Sequence, residues 1–185
     1  MIEETSEKQP EDDSSSNEEQ ERAELQKYID DLQEKLKLKS ELREKNVSRI
    51  LPADDYFTKL DSSLKKNTAF VKKLKQFTAA QLDSLLKDIK GLNLTKYISE
   101  VAAALIEAKL KMTDIPAAIA LCSQFHQIYS DFSQQLFENW QKTLTFKATD
   151  KIQNMSKLRV DLRFYCDLVS VGIFNNKVRK FLELI

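Results

Sequence analysis

Cys122 and His126 stand four residues apart, so on a helix they share one edge. That spacing could serve a thiolate–imidazolium nucleophile or half of a tetrahedral zinc site. Neither chemistry is completed by the rest of the chain. His126 is the single histidine in 185 residues, and Cys166 is the one remaining soft ligand, short of the four donors a structural zinc requires. No oxyanion-stabilising group is recognisable nearby. Leu121, Phe125 and Tyr129 place the pair beside an apolar stripe, where Cys and His are ordinary constituents of a core. No catalytic residue, bound metal or cofactor is expected, and an enzyme is not expected.

A second set is basic. Residues 60–77 read LDSSLKKNTAFVKKLKQF, with Phe70, Val71, Leu74 and Phe77 at helical spacing. Lys72, Lys73 and Lys75 project from the other side, Lys65 and Lys66 precede them, and Asn67 or Thr68 is the expected N-cap. Such a run is a solvated face, a docking surface for an acidic protein segment, or a phosphate-binding surface. No aromatic platform is interleaved with the lysines, so any RNA contact is expected to be weak, non-specific and salt-sensitive. Arg159, Arg163 and Asp167 fall at i, i+4 and i+8 on an otherwise apolar helix. They read either as an internal ladder closed by Arg163 and Asp167, or as a stripe presenting guanidinium forks to carboxylates or phosphates. Arg159 and Arg163 therefore join the five lysines as candidate partner- or RNA-binding residues.

The elements that must carry these residues are helices. The chain holds two glycines, Gly91 and Gly172, and three prolines. Hairpins and phosphate-cradling loops need more glycine than that, so the composition reads as all-α. Neither a Walker loop nor a dinucleotide fingerprint is present. The formal net charge of zero hides an asymmetry: residues 1–21 carry nine acids against one lysine, a local −8, leaving +8 on the remainder. Cys122 and Cys166, distant in sequence and set in apolar patterns, read as reduced core thiols. The acidic N-terminus has no apolar run, and the apolar stretch 101–106 is far too short to span a bilayer. A soluble cytoplasmic or perinuclear protein without a membrane partner is expected.

Residues 1–20 are expected to be a disordered acidic tail. Ser14, Ser15 and Ser16 precede Glu18 and Glu19, the context of acidophilic kinases, and are candidate phosphosites in what is otherwise a solubilising segment. Residues 21–50 form a long charged helix with Leu25, Ile29, Leu32 and Leu36 at spacings of 4, 3 and 4, before the phase slips to Leu38 and Leu42. The heptad lasts fewer than three repeats, so a single helix lying along the domain, and a monomer, are expected. Pro52 ends it.

Residues 53–185 then read as short helices. Asp54 or Asp55 caps one through about residue 66, and a second ends near Phe77. Thr78 with Gln81 makes a capping box for residues 79–90, closed by Gly91. Helices follow over 95–111, over 115–129 with Asp114 as cap and Pro116 in the first turn, and onward through about Phe146. The last two span 156–171 and begin at Asn175 or Asn176. Pairs starting near 79, 114 and 156, spacings of 35 and 42, match the period of helical-hairpin repeats. The chain stops inside the apolar pattern FLELI, and is expected to be a piece of a longer protein, truncated before a closing repeat.

The strings LDSSLKKNTAFVKKLK (60–75), GLNLTKYISE (91–100), EAKLK (107–111), LCSQFHQIYSDF (121–132) and KLRVDLRFYCDLVSVGIF (157–174) closely resemble one family. It is the family related to the middle domain of translation initiation factor 4G, in its branch serving nonsense-mediated mRNA decay. The resemblance covers most of residues 50–175. It implies a HEAT-like helical-repeat solenoid and a non-enzymatic adaptor supporting assembly of the mRNA surveillance complex. The partners so implied, for the full-length protein, are a helicase, an exon-junction-linked adaptor and a kinase. An initiation-factor-like module binding RNA or a helicase directly through its basic face is the alternative. The family's known contact motifs lie C-terminal to this domain, so no contact residue carries over.

Overall fold

The computed structural model describes residues 13–144 and 154–174, with side chains from Glu18 onward except Asp54. The expected last helix from Asn175 or Asn176 lies outside the described residues, as do residues 1–12 and 145–153. The chain divides into two compact units, residues 1–39 and 40–185. Helix α1, Asp13–Val47, runs through the division. Residues 13–20, whose composition suggested a tail, form its first turns. From Glu18 to Leu38 every described side chain on it is exposed.

The second unit contains the end of α1 followed by α2 (Asp54–Thr58), α3 (Leu64–Lys75), α4 (Leu82–Gly91), α5 (Ile98–Glu107), α6 (Ile115–Ile128), α7 (Phe132–Leu144) and α8 (Met155–Ser170). Short 3₁₀ turns precede α4, α5 and α6. Helix α3 packs on α5 and α5 on α7, while α4 packs on α6 and α6 on α8. Odd and even helices thus make two layers, which is the stacking of a HEAT-like solenoid. The amphipathic stripes explain the arrangement. Phe70, Leu74 and Phe77 face inward from the first layer, and Leu85 and Ile89 from the second. Helix α5, apolar over a wide arc, buries Ile98, Val101, Ala102, Ala104, Leu105 and Ile106 between its neighbours. Aromatic contacts lock the layers: Phe125 stacks on Phe132 at 5.2 Å, and Trp140 meets Phe164 edge-on at 5.8 Å.

The repeat period also appears in the hydrogen bonds. Asp114 Oδ1 accepts from Ala79 N at 3.0 Å, and the Tyr129 hydroxyl accepts from Leu94 N at 3.0 Å, both across 35 residues. Asp114 does not cap α6 with its side chain. Its second oxygen accepts from Lys111 N at 3.0 Å, so this carboxylate ties one 3₁₀ turn to the preceding repeat. The Thr78–Gln81 box forms as expected from the sequence.

Several local readings change. Helix α3 begins at Leu64, and Asn67 is an interior residue, buried and donating from Nδ2 to the Asn93 carbonyl at 2.9 Å. The reason is Asp61, which pairs with Leu92 in an isolated parallel bridge and accepts from Ser63 N at 2.8 Å, stopping α2 early and starting α3 early. Helix α8 begins on Asn154, whose side chain accepts from Lys157 N at 2.9 Å. Cys166 is exposed and not a core thiol; Cys122 is buried, and both are free.

Candidate functional site

The five lysines of the basic run all lie on or beside α3 with exposed side chains, so the structure brings them onto one helix. Three are already engaged. Lys66 Nζ reaches Asp61 at 2.5 Å, Lys73 reaches Asp88 at 2.9 Å, and Lys75 reaches Glu107 at 3.0 Å. Lys65 and Lys72, two helical turns apart, have no ion pair among the described residues. With five lysines against three carboxylates, the face carries +2 rather than +5. The three pairs are exposed and screened by water, so each is weak and leaves its lysine able to exchange partners. Between Lys66 and Lys73 lies a shallow groove of about 170 Å³, floored by Ala69, Phe70 and Leu92, with the Asp88 carboxylate in its wall.

The arginines of α8 are a separate surface. Arg163 Nε donates to Asp167 Oδ2 at 2.9 Å, which closes the internal ladder and raises the guanidinium's already high pKa further. Arg159 is exposed one turn earlier. A second pair that the sequence reading missed, Lys157 to Asp161 at 2.7 Å, lies on the same helix. Burial raises the Asp161 pKa, and Lys157 opposes that shift.

Cys122 and His126 do not form a reacting pair. The thiol is fully buried, and desolvation pushes its pKa up beyond the range of a usable thiolate. His126 is turned to another task. Arg49 Nη1 donates to His126 Nδ1 at 3.1 Å and also to the His126 carbonyl. An arginine N–H can only donate, so Nδ1 accepts and the ring is neutral with its proton on Nε2. Burial first and the Arg49 charge second lower the His126 pKa to about 4, against a smaller opposing effect of the Asn46 backbone. Among the described residues, no group of three or more His, Cys, Asp or Glu could hold a metal ion, and no helix is long and apolar enough to cross a membrane.

His126 belongs to a buried polar junction joining the end of α1 to α6 and the end of α8. Asn46 Nδ2 donates to the Val171 carbonyl at 2.9 Å, and its Oδ1 accepts from Ser123 Oγ at 2.7 Å and from Gln127 Nε2 at 3.3 Å. Arg43 donates to the Ser170 carbonyl at 3.0 Å. Helix α8 ends there in a left-handed residue, Gly172 with φ 77°, and a Cβ at that position would lie 2.9 Å from Val47 Cγ2. Glycine meets both the turn and the approach of α1. Sequence reasoning missed this junction, because polar residues separated by 77 and 125 positions carry no local signal. The one available sign was Gly172 at the end of an apolar pattern.

A two-layer helical stack of this kind defines a helical-repeat fold of the initiation-factor middle-domain type. Residues 64–179 match the MIF4G domain, and the chain belongs to that family. In particular, it is similar to regulator of nonsense transcripts 2 from mouse, 51% identical over 146 residues, covering 78% of this chain and 12% of that protein. The Arabidopsis thaliana regulator of nonsense transcripts UPF2 is 36% identical over 173 residues, covering 90% of this chain and 15% of that protein. The chain therefore spans well under a quarter of these relatives' length. Among solved structures, the first MIF4G domain of human nonsense mediated decay factor UPF2 superposes with a TM-score of 0.83 at 46% identity, covering 89% of this chain and 54% of that one.

Proposed function

We propose that this domain is a non-enzymatic adaptor module of nonsense-mediated mRNA decay, supporting assembly of the surveillance complex through protein contacts. The observation that carries the reading is the likeness, at 46% identity, to the first MIF4G domain of a human decay factor. The chemistry on the molecule agrees with it. The nucleophile candidate is buried and its histidine is held neutral by Arg49, while exposed lysines are offered along α3. Helicase, exon-junction-linked adaptor and kinase are the partners of the longer protein in this reading, with a cytoplasmic or perinuclear location.

Lys65 and Lys72 are the leading contact residues, with Lys66, Lys73 and Lys75 able to join by releasing their carboxylates; Arg159 and Arg163 offer a second, smaller surface. An acidic protein segment fits this face better than RNA. Its charge is only +2, and no aromatic platform for bases accompanies the lysines. Ser14, Ser15 and Ser16 are proposed phosphosites, whose added negative charge near the start of α1 would favour that helix end.

A pull-down of decay factors compares the wild-type domain with the variant carrying Lys65, Lys66, Lys72, Lys73 and Lys75 each changed to Glu. Loss of partner recovery with an unchanged melting transition supports the reading; unchanged recovery would reduce the face to ordinary solvation. RNA binding measured across a salt series decides the alternative. Affinity that is high and persists as salt rises would favour a direct RNA module of another kind.

A further inference from the structure

Within the first unit, α1 carries an apolar stripe that is exposed among the described residues. Leu25, Ile29, Leu32 and Leu36 follow a 4, 3, 4 spacing, the d, a, d, a positions of a heptad, and are exposed by 37% at Ile29 up to 66% at Leu36. The spacing is its own mirror image. Reversing the helix about the point midway between Asp30 and Asp31 sets Leu25 on Leu36 and Ile29 on Leu32. Antiparallel two-stranded coils stack an a residue of one helix on a d residue of the other, and this register supplies four such apolar layers.

The charges select the same register. Glu18, Glu19, Glu21 and Glu24 against Arg22 give residues 18–24 a charge of −3, while Lys35, Lys37 and Lys39 against Glu34 give residues 34–39 a charge of +2. Antiparallel pairing brings the acidic turns of one helix beside the lysine-bearing turns of the other; parallel pairing would set like on like. The flanking positions also agree. Tyr28 meets the other copy's Lys35, and Gln26 meets its Gln33. Arg22 and Lys39 take the next a and d positions and face each other as like charges, which closes the seam after four layers.

We infer that residues 25–36 of α1 are a self-association surface, on which a second copy of this chain docks antiparallel. A seam of four layers is short, so the association is weak and concentration-dependent, in place of the monomer the brief heptad suggested.

Sedimentation equilibrium of the full chain over a concentration series tests it. The mass is expected to rise from 21.4 kDa toward twice that value. Ile29→Lys with Leu32→Lys is expected to hold the chain at the monomer mass with an unchanged melting temperature, because both side chains are exposed. Orientation is read by oxidising a mixture of Leu25→Cys and Leu36→Cys chains, each also carrying Cys166→Ser to remove the exposed native thiol. A mixed disulfide between the two variants is expected, since a disulfide needs Cα atoms within about 7 Å. Monomer mass at every concentration, a dimer indifferent to the Ile29 and Leu32 changes, or disulfides formed only between identical variants would each overturn the inference.

Discussion

The molecule has two polar regions, a neutral hydrogen-bonded junction and a lysine-bearing face, and they do opposite work. At the junction of α1, α6 and α8, Asn46, Ser123 and Gln127 are sequestered together and exchange hydrogen bonds at 2.7–3.3 Å. On α3, five lysines stand in solvent, three of them in exposed ion pairs. Burial separates the two. A hydrogen-bonding group removed from water costs about 1–3 kcal/mol when its partner is lost, whereas an exposed pair contributes about 0–1 kcal/mol. The junction is therefore committed to holding the end of α1 on the stack. The lysine face is held so lightly that it remains available to something else.

The sharpest way to break this contrast is at Gly172. Gly172→Ala must adopt a left-handed backbone and place a Cβ 2.9 Å from Val47 Cγ2. Strain and overpacking together predict a loss of about 2–4 kcal/mol, read as a lowered urea midpoint. An unchanged midpoint would mean that α1 does not press on this turn.

His126 gives the second test, through pH. Its folded pKa of about 4 lies below its unfolded value near 6.5. A proton is then bound more readily by the unfolded chain, so the contribution is fully present above pH 6.5 and is lost as pH falls toward 4. The loss expected across that window is on the order of 2–3 kcal/mol, and His126→Gln should flatten it. Urea midpoints measured from pH 7 to pH 4 on both proteins check this. Equal slopes would show that acid sensitivity arises elsewhere.

Asn46→Ala comes next. It strips the Val171 carbonyl and the Ser123 hydroxyl of partners within a closed site, so a loss of about 1–3 kcal/mol is expected. Lys73→Ala is the smallest. Breaking its exposed pair with Asp88 should change stability by less than about 1 kcal/mol, and thermal melts of the two variants side by side make the comparison direct.

The same contrast explains what could be read from the chain. The all-α class and the repeat followed from scarce glycine and from apolar stripes such as Phe70, Leu74 and Phe77, which are local and periodic. The lysines could be placed on one helix face for the same reason. Their neutralising partners were out of reach, since Asp88 and Glu107 lie on later helices and only stacking brings them to Lys73 and Lys75. The end of α2 was missed because Asp61 and Leu92, whose pairing interrupts it, are far apart in sequence. Asp114 was legible as a capping residue, but its actual role required knowing that Ala79 lies beside it. Local chemistry was visible, and the contacts between repeats were not.

The proposed function rests on exposed charge along α3 of the helical stack. Its most direct test is the affinity of the domain for an acidic partner segment, compared between Lys65→Glu/Lys72→Glu and Lys73→Glu/Lys75→Glu. The double change at the two unpaired lysines is expected to weaken binding by about tenfold or more, and more than the change at the paired ones, with both proteins folded as wild type. Equal affinity across wild type and both variants would contradict the claim.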